Sequence, residues 1–298
     1  MKKIYLLIAV ALTAMATVSC GNAENNADGT DSTATEQTTE TAAVNPWPWD
    51  FPQNVKIEAE EGQWVLSPYT FYPGALKDGE DPAEKVLIFY STKMTSVGDT
   101  KSTVNNDVEM PNALIIPLAK DAQAKKGDIL LTWWQKGSGM KRAIVKDASN
   151  PAEPKVDYLD MEYSDDPEKP GFAQREADQQ LKPGTFNILT DGEWQPGAQV
   201  ACKNDRGEWD AATLLYEQDS KVLVLGFSDK VKAYKKDDVK LIPFKENINV
   251  GDKVYAKWVA GYKEGYTVTK VDKNLGRYWV EKDGKTEVKA FGEVTKLL

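Results

Sequence analysis

The chain contains no histidine. Its 298 residues include 0 His and only 2 Cys, Cys20 and Cys202. Without imidazole, the usual Ser-His-Asp and Cys-His nucleophile–base arrangements are excluded, as are the common His-based zinc sites. If Cys20 is acylated, Cys202 stands alone and no internal disulfide can form. Cys202 falls at an alternating position in Val200-Ala201-Cys202 and reads as a small core residue. Phosphate loops, dinucleotide fingerprints and metal-ligand spacings are also missing, and the Gly-rich Gly137-Ser138-Gly139 reads as a strand turn. No cofactor is expected. Long capped amphipathic helices are absent too, with one weak candidate near Phe172 to Leu181. Basic excess is lacking: the formal net charge is -9. Removing a leader that holds Lys2, Lys3 and no acid takes -9 to -11. Nucleic acid, which selects a basic face, is therefore not an expected partner, and the basic run Lys230 to Lys240 is diluted by Asp237 and Asp238.

The one long apolar run, Ile4 to Val18, follows a short basic start and is too short to span a bilayer comfortably. It closes Thr17-Val18-Ser19-Cys20-Gly21, which resembles the lipobox of bacterial lipoproteins, although Thr17 stands where that motif usually has Leu. The resemblance implies a signal peptide over residues 1–19 and a diacylated Cys20 as first mature residue. Gly21, not Asp, follows, which points to outer-membrane sorting. An ordinary secretory signal cleaved nearby is the alternative. Residues 20–54 read as a disordered tether, because Gly21 to Asn45 is Asn, Ala, Thr, Ser and Glu with almost nothing to bury. Asp31-Ser32-Thr33 within it resembles an O-glycosylation site of some Bacteroidetes, against the plain reading of a solvated linker. The tether ends Pro46-Trp47-Pro48-Trp49-Asp50-Phe51-Pro52, a stiff aromatic segment that either clamps onto the body or docks a partner.

The remaining chain alternates β-branched and aromatic residues between Gly and Asp turns, so the body is expected to be mainly β. The organising stretch is Val250-Gly251-Asp252-Lys253-Val254-Tyr255-Ala256-Lys257-Trp258 and the four strand-like runs after it. Pro196-Gly197-Ala198-Gln199-Val200-Ala201-Cys202 matches its opening, and Trp209 to Leu214 is matched to Tyr266 to Val271. A further copy opens at Lys126-Gly127-Asp128-Ile129 and closes at Phe186-Asn187-Ile188-Leu189, after an insertion near Ser164 to Lys182. Periodic self-similarity of this kind predicts an array. The expected divisions are 55–192 for an N-terminal β domain holding the first copy, 193–246 for the second and 247–298 for the third. Whether Val55 to Leu118 is a fourth copy stays open. In the last copy Val254, Ala256, Trp258, Val268, Val271, Tyr278, Val280, Val288 and Val294 form the expected core. On that reading Trp258→Ala would cost about 3–5 kcal/mol.

The pattern Gly-x-x-Val-x-Ala-x-Trp, then Tyr-x-Val-x-x-Val, then Asp-Gly between valines, resembles the Tudor/Agenet-like family of small barrels over about Lys126 to Leu298. The resemblance implies tandem small five-stranded barrels. Members that bind methylated lysine or arginine use an aromatic cage. Trp258 and Tyr266 fall on its first two positions, but Val280 and Asp283 fall on the later ones. In the middle copy Trp209 matches one position and Asn204 stands where Trp258 would.

Small barrel arrays more often bind than catalyse. The expected function is a non-catalytic binding or scaffolding protein, lipid-anchored in the cell envelope, whose partner is an envelope protein, peptide or glycan. Candidate contacts are Trp133, Tyr262, Tyr266 and Trp279, since Trp133-Trp134 and Tyr278-Trp279 must point to opposite faces of their strands. Packing between modules is the competing reading of these aromatics. The acidic stretch Tyr158 to Glu168 offers two other uses, a Ca²⁺ site or the carboxylates of a hydrolase, beside the plain one of a solvated loop. A passive spacer is the third function class.

Overall fold

The computed structural model describes residues 47–69, 81–137 and 139–298. The leader, Cys20, Asp31-Ser32-Thr33 and most of the expected tether lie outside the described residues. The body is mainly β, at 45% strand against 6% helix. The helix expected near Phe172 to Leu181 is a single turn, Phe172–Arg175. The folded residues belong to one compact unit, Asn45–Leu298.

Among the described residues, twenty strands fall into four sets of five. The first set is β1 (Trp64–Pro68), β2 (Phe89–Ser96), β3 (Lys101–Val104), β4 (Val108–Pro111) and β5 (Ile116–Pro117). The second is β6 (Ile129–Trp133), β7 (Met140–Asp147), β8 (Lys155–Tyr158), β9 (Gln179–Gln180) and β10 (Asn187–Leu189). The third is β11 (Gln199–Lys203), β12 (Trp209–Gln218), β13 (Lys221–Leu225), β14 (Val231–Lys235) and β15 (Val239–Ile242). The fourth is β16 (Lys253–Trp258), β17 (Gly261–Asp272), β18 (Arg277–Lys282), β19 (Lys285–Ala290) and β20 (Val294–Thr295). In every set the fifth strand returns to pair with the first, and the first four form an antiparallel meander. The third and fourth sets are joined into one ten-stranded sheet through β12 and β17, with Trp209 opposite Tyr262 and Asp210 opposite Gly261. A Cβ on Gly261 would lie 2.7 Å from the carbonyl oxygen of Trp209, so this junction needs glycine. The expected closed barrels do not form: the sheets are open, and none closes on itself.

One local device recurs in all four sets. A glycine with φ between 79° and 95° (Gly62, Gly127, Gly197, Gly251) precedes the first strand, a backbone region costly for side chains. Its N–H donates to a carbonyl on the second strand: Met94, Val145, Leu214 and Val268 in turn, at 2.8–2.9 Å. That strand residue's own N–H donates back to the residue after the glycine. Each of these four strand residues is followed at once by a bulge in the pairing of second strand with third. The device also fixes the alignment between sets. Leu214 occupies the place of Val268, not of Val271, so the sequence match of the second strands is off by three residues. Ala212, not Trp209, corresponds to Tyr266.

A single apolar cluster draws on all four sets, including Val65, Leu131, Leu223 and Val280. The residues before β1 join it. Trp47, Trp49 and Phe51 are buried, so the expected tether does not run to residue 54 as free chain. Of the expected fourth-set core, Val254, Ala256, Val268, Tyr278, Val280 and Val294 are buried, while Val271 and Val288 are partly so. Trp258 is a correction: it is 53% exposed. It lies seven residues after Gly251, at the end of β16, opposite Gly261 across the hairpin turn. In the second set the equivalent Trp134 is covered by the insertion, with Phe172 edge-on at 5.0 Å and its indole N–H donating to Glu176 at 3.3 Å. The fourth set has no such insertion. Trp258→Ala should therefore leave the urea unfolding free energy within about 0.5 kcal/mol of wild type. A loss of several kcal/mol would restore the core assignment.

Candidate functional site

The four aromatic candidates are all buried. Trp133 ends β6 and packs on Trp64 of the first set, ring centroids 5.2 Å apart. Tyr262 lies at the β12–β17 junction and donates its hydroxyl to the Gly292 carbonyl at 2.7 Å. Tyr266 is 4% exposed, with the Lys282 ammonium 5.3 Å from its ring centre. Trp279 is covered by the second set's insertion: its indole N–H donates to Asp165, and Tyr163 stands edge-on at 6.1 Å. These side chains pack within and between sets and offer no open face to a ligand. The acidic stretch explains part of this, since Asp165 serves as the lid on Trp279. Two other acids there are also engaged. Asp157 pairs with Lys146 at 3.4 Å and accepts from the Asp178 N–H at 2.9 Å. Asp166 accepts from the Glu168 N–H at 2.9 Å. Among the described residues no cluster of three or more His, Cys, Asp or Glu is placed to hold a metal ion.

A concave feature lies elsewhere. The second, third and fourth sets surround a cleft of about 550 Å³. Its charged lining comes from all three. Arg142 on β7 is 1% exposed and forms a fork with Asp160, Nη2 at 2.6 Å and Nε at 3.2 Å, while Nη1 donates to the Phe291 carbonyl at 2.7 Å. The Arg142 backbone N–H adds a bond to the same carboxylate at 2.7 Å. Burial alone would push the Asp160 carboxyl up, but the charge and hydrogen bonds of Arg142 outweigh it and hold it at about 2. Glu293 behaves alike: burial opposes its charge, yet Lys257 at 3.1 Å, with Arg142 nearby, holds it below the usual carboxylate range. Its other oxygen accepts from the Ala290 N–H at 2.8 Å.

Arg277, at the start of β18, differs. It is 4% exposed, donates to the Tyr158 carbonyl at 2.8 Å, and lies over the Tyr163 ring at 5.2 Å. It forms no ion pair with any described residue, and burial lowers its affinity for its proton. At the mouth of the cleft stand two exposed apolar side chains, Phe227 at 58% and Val259 at 59%. Val259 has φ 54°, a left-handed conformation that is a genuine outlier for a β-branched residue. Ser228 and Asp229, next to Phe227, have φ of 59° and 54°.

Cys202 is fully buried, and burial, with Asp210 nearby, pushes its thiol up and away from the reactive thiolate. Asp160 and Glu293 are held as ion-paired carboxylates, poor proton donors near neutral pH. What the cleft provides is a buried cation, paired charges and an apolar mouth.

Sequence reasoning missed Arg142, Arg277, Glu293, Phe227 and Val259. A signal existed for one of them: Arg277 sits two residues before Trp279, in phase with a large aromatic on one strand face, where an exposed arginine is not expected. In comparisons with known proteins, the chain matches no family model and none of the curated proteins.

Proposed function

We propose that the protein is a lipid-anchored, non-catalytic binding and scaffolding protein of the bacterial cell envelope, built from four copies of one Tudor/Agenet-like module. The observation that carries the binding reading is the cleft shared by three sets, in which Asp160 and Glu293 are committed to ion pairs while the buried guanidinium of Arg277 is not. The module reading is supported by the shared strand order and by the glycine–bulge device, which includes Gly62 and so brings residues 64–117 into the array. The methyl-ligand cage is not part of the proposal, because Tyr266 is buried and Ala212 holds its place in the third set. The hydrolase reading is not part of the proposal: of the carboxylates near Asp157 to Asp166, Asp157, Asp160 and Asp165 are engaged by Lys146, Arg142 and Trp279.

The anchor rests on the Ser19-Cys20-Gly21 motif. Cells expressing the full chain and fed an alkyne fatty acid should label it, with the protein in the membrane fraction. Cys20→Ser should remove the label and release the protein from that fraction. Labelling that survives Cys20→Ser, or a soluble wild-type protein, would overturn the anchoring.

A further inference from the structure

We infer that the cleft between the second, third and fourth sets binds a carboxylate carried next to an apolar group, as at the C-terminal residue of a peptide. This rests on the binding reading above and names its ligand class.

The cation comes first. A guanidinium taken out of water needs a compensating negative charge or a full set of hydrogen bonds. Arg277 has one carbonyl and one ring face, and its remaining N–H groups are not sealed in the core but open onto the cleft that it lines. Asp160 and Glu293 act on it only at longer range, and each already serves another cation, Arg142 and Lys257. A ligand carboxylate would complete the pairing, and the planar fork of arginine matches that group.

The rest of the lining narrows the class. Glu162 and Asp229 also line the cleft, so a multiply charged anion such as a polyphosphate would meet repulsion there. A single carboxylate meets less of it than a multiply charged anion does. Met140, Met161 and Leu225 supply an apolar wall. A cleft of about 550 Å³ suits a small ligand or a chain end, and is too small for a folded domain.

The mouth supplies an independent observation. A hairpin turn with positive φ is best served by glycine, yet Val259 occupies it, strained and exposed. Phe227, beside two further residues with positive φ, faces solvent in the same way. Backbone strain held at Val259, and at Ser228 and Asp229 beside Phe227, on the lip of a cleft is the pattern of a binding site.

The test uses the full-length protein in detergent and two probes, acetyl-Gly-Leu as its free acid and as its amide, with inorganic phosphate as the anion alone. Binding is read by saturation-transfer NMR and by calorimetry. The acid is expected to bind, with the amide weaker by about tenfold or more, the loss of one charge-assisted pairing. Phosphate is expected to be weaker than the acid. Arg277→Lys should weaken the acid by a similar factor. Val259→Gly relieves strain and so should fold at least as well as wild type, yet weaken the leucine probe. If Arg277→Lys fails to fold, Val259→Gly and Phe227→Ser carry the test. Equal binding of acid and amide, or phosphate binding as tightly as the acid, overturns the inference. Acid binding that ignores every one of these substitutions removes it from this cleft while leaving a binding protein. No binding of either probe overturns the ligand class, and the Cys20 labelling result stands apart from all these outcomes.

Discussion

Asp160→Ala should lower the unfolding free energy by about 3–5 kcal/mol at neutral pH, because it strands a buried guanidinium. Arg142 is 1% exposed and spends its backbone N–H, Nε and Nη2 on this one carboxylate. Only Nη1 has another partner, the Phe291 carbonyl, so the pair also ties the second set to the fourth. Urea denaturation measures the loss. The acid dependence carries a definite sign. The carboxyl of Asp160 is held at about 2 in the folded state, below its ordinary value. A depressed carboxyl contributes stability that is present above its unfolded value of about 4 and fades as pH falls from there toward about 2. The gap between wild type and Asp160→Ala should therefore narrow over that window and stay constant from pH 5 to 8. A gap that persists unchanged at pH 2, or one below about 1 kcal/mol at pH 7, would show that the pair is not what holds the two sets. A double substitution, Arg142→Met with Asp160→Leu, should recover much of the loss, since apolar replacement of a buried pair removes the stranded charge.

The same pair shows what was legible in the sequence and what was not. Three glycines, Gly127, Gly197 and Gly251, announced their turns because a φ above 70° is written in residue type. Gly62 went unread. The strand after it, Trp64-Val65-Leu66-Ser67, does not alternate, because it is buried on both faces, and the long stretch from Pro68 to Phe89 separates it from its partner strand. The bulges were invisible, since no residue type marks them, and this produced the three-residue error in the second strands. The aromatic candidates were misplaced for a related reason. Alternation sends one of each adjacent pair away from its own sheet's core, but it does not say that water waits there. For Trp279 the far side is filled by Tyr163 and Asp165, contributed by an insertion more than a hundred residues earlier in the chain. The cleft was illegible for the same reason: Arg142 meets Phe291, and Arg277 meets Tyr158, only once the second and fourth sets have packed.

Trp49→Ala should cost about 3–5 kcal/mol, the range for a large buried aromatic. It should also open the chain near residue 50 to proteases. Trp49 is 7% exposed and donates its indole N–H to the Val231 carbonyl of β14 at 2.7 Å. Trp47 stands edge-on to it at 4.9 Å and donates to the Phe51 carbonyl at 2.8 Å, closing a small aromatic knot. Asp50 pairs with Lys221, and Asn54 accepts from Gln218 at 3.1 Å. The segment thus docks on the third set, although the first set follows it in sequence. That choice decides how a lipid anchor would load the body. Tension applied ahead of Trp47 would reach β13 and β14 before it reached the first set. Trp49→Phe separates the two contributions: it keeps most of the apolar burial and loses the hydrogen bond, so about 1–3 kcal/mol is expected. Limited proteolysis with mapped cleavage sites and urea unfolding measure both. If Trp49→Ala unfolds like wild type and cleavage near residue 50 does not increase, the knot is decorative and the body holds together without it. If the loss appears in full for Trp49→Ala and in part for Trp49→Phe, residues 47–54 are a structural strap of the folded body.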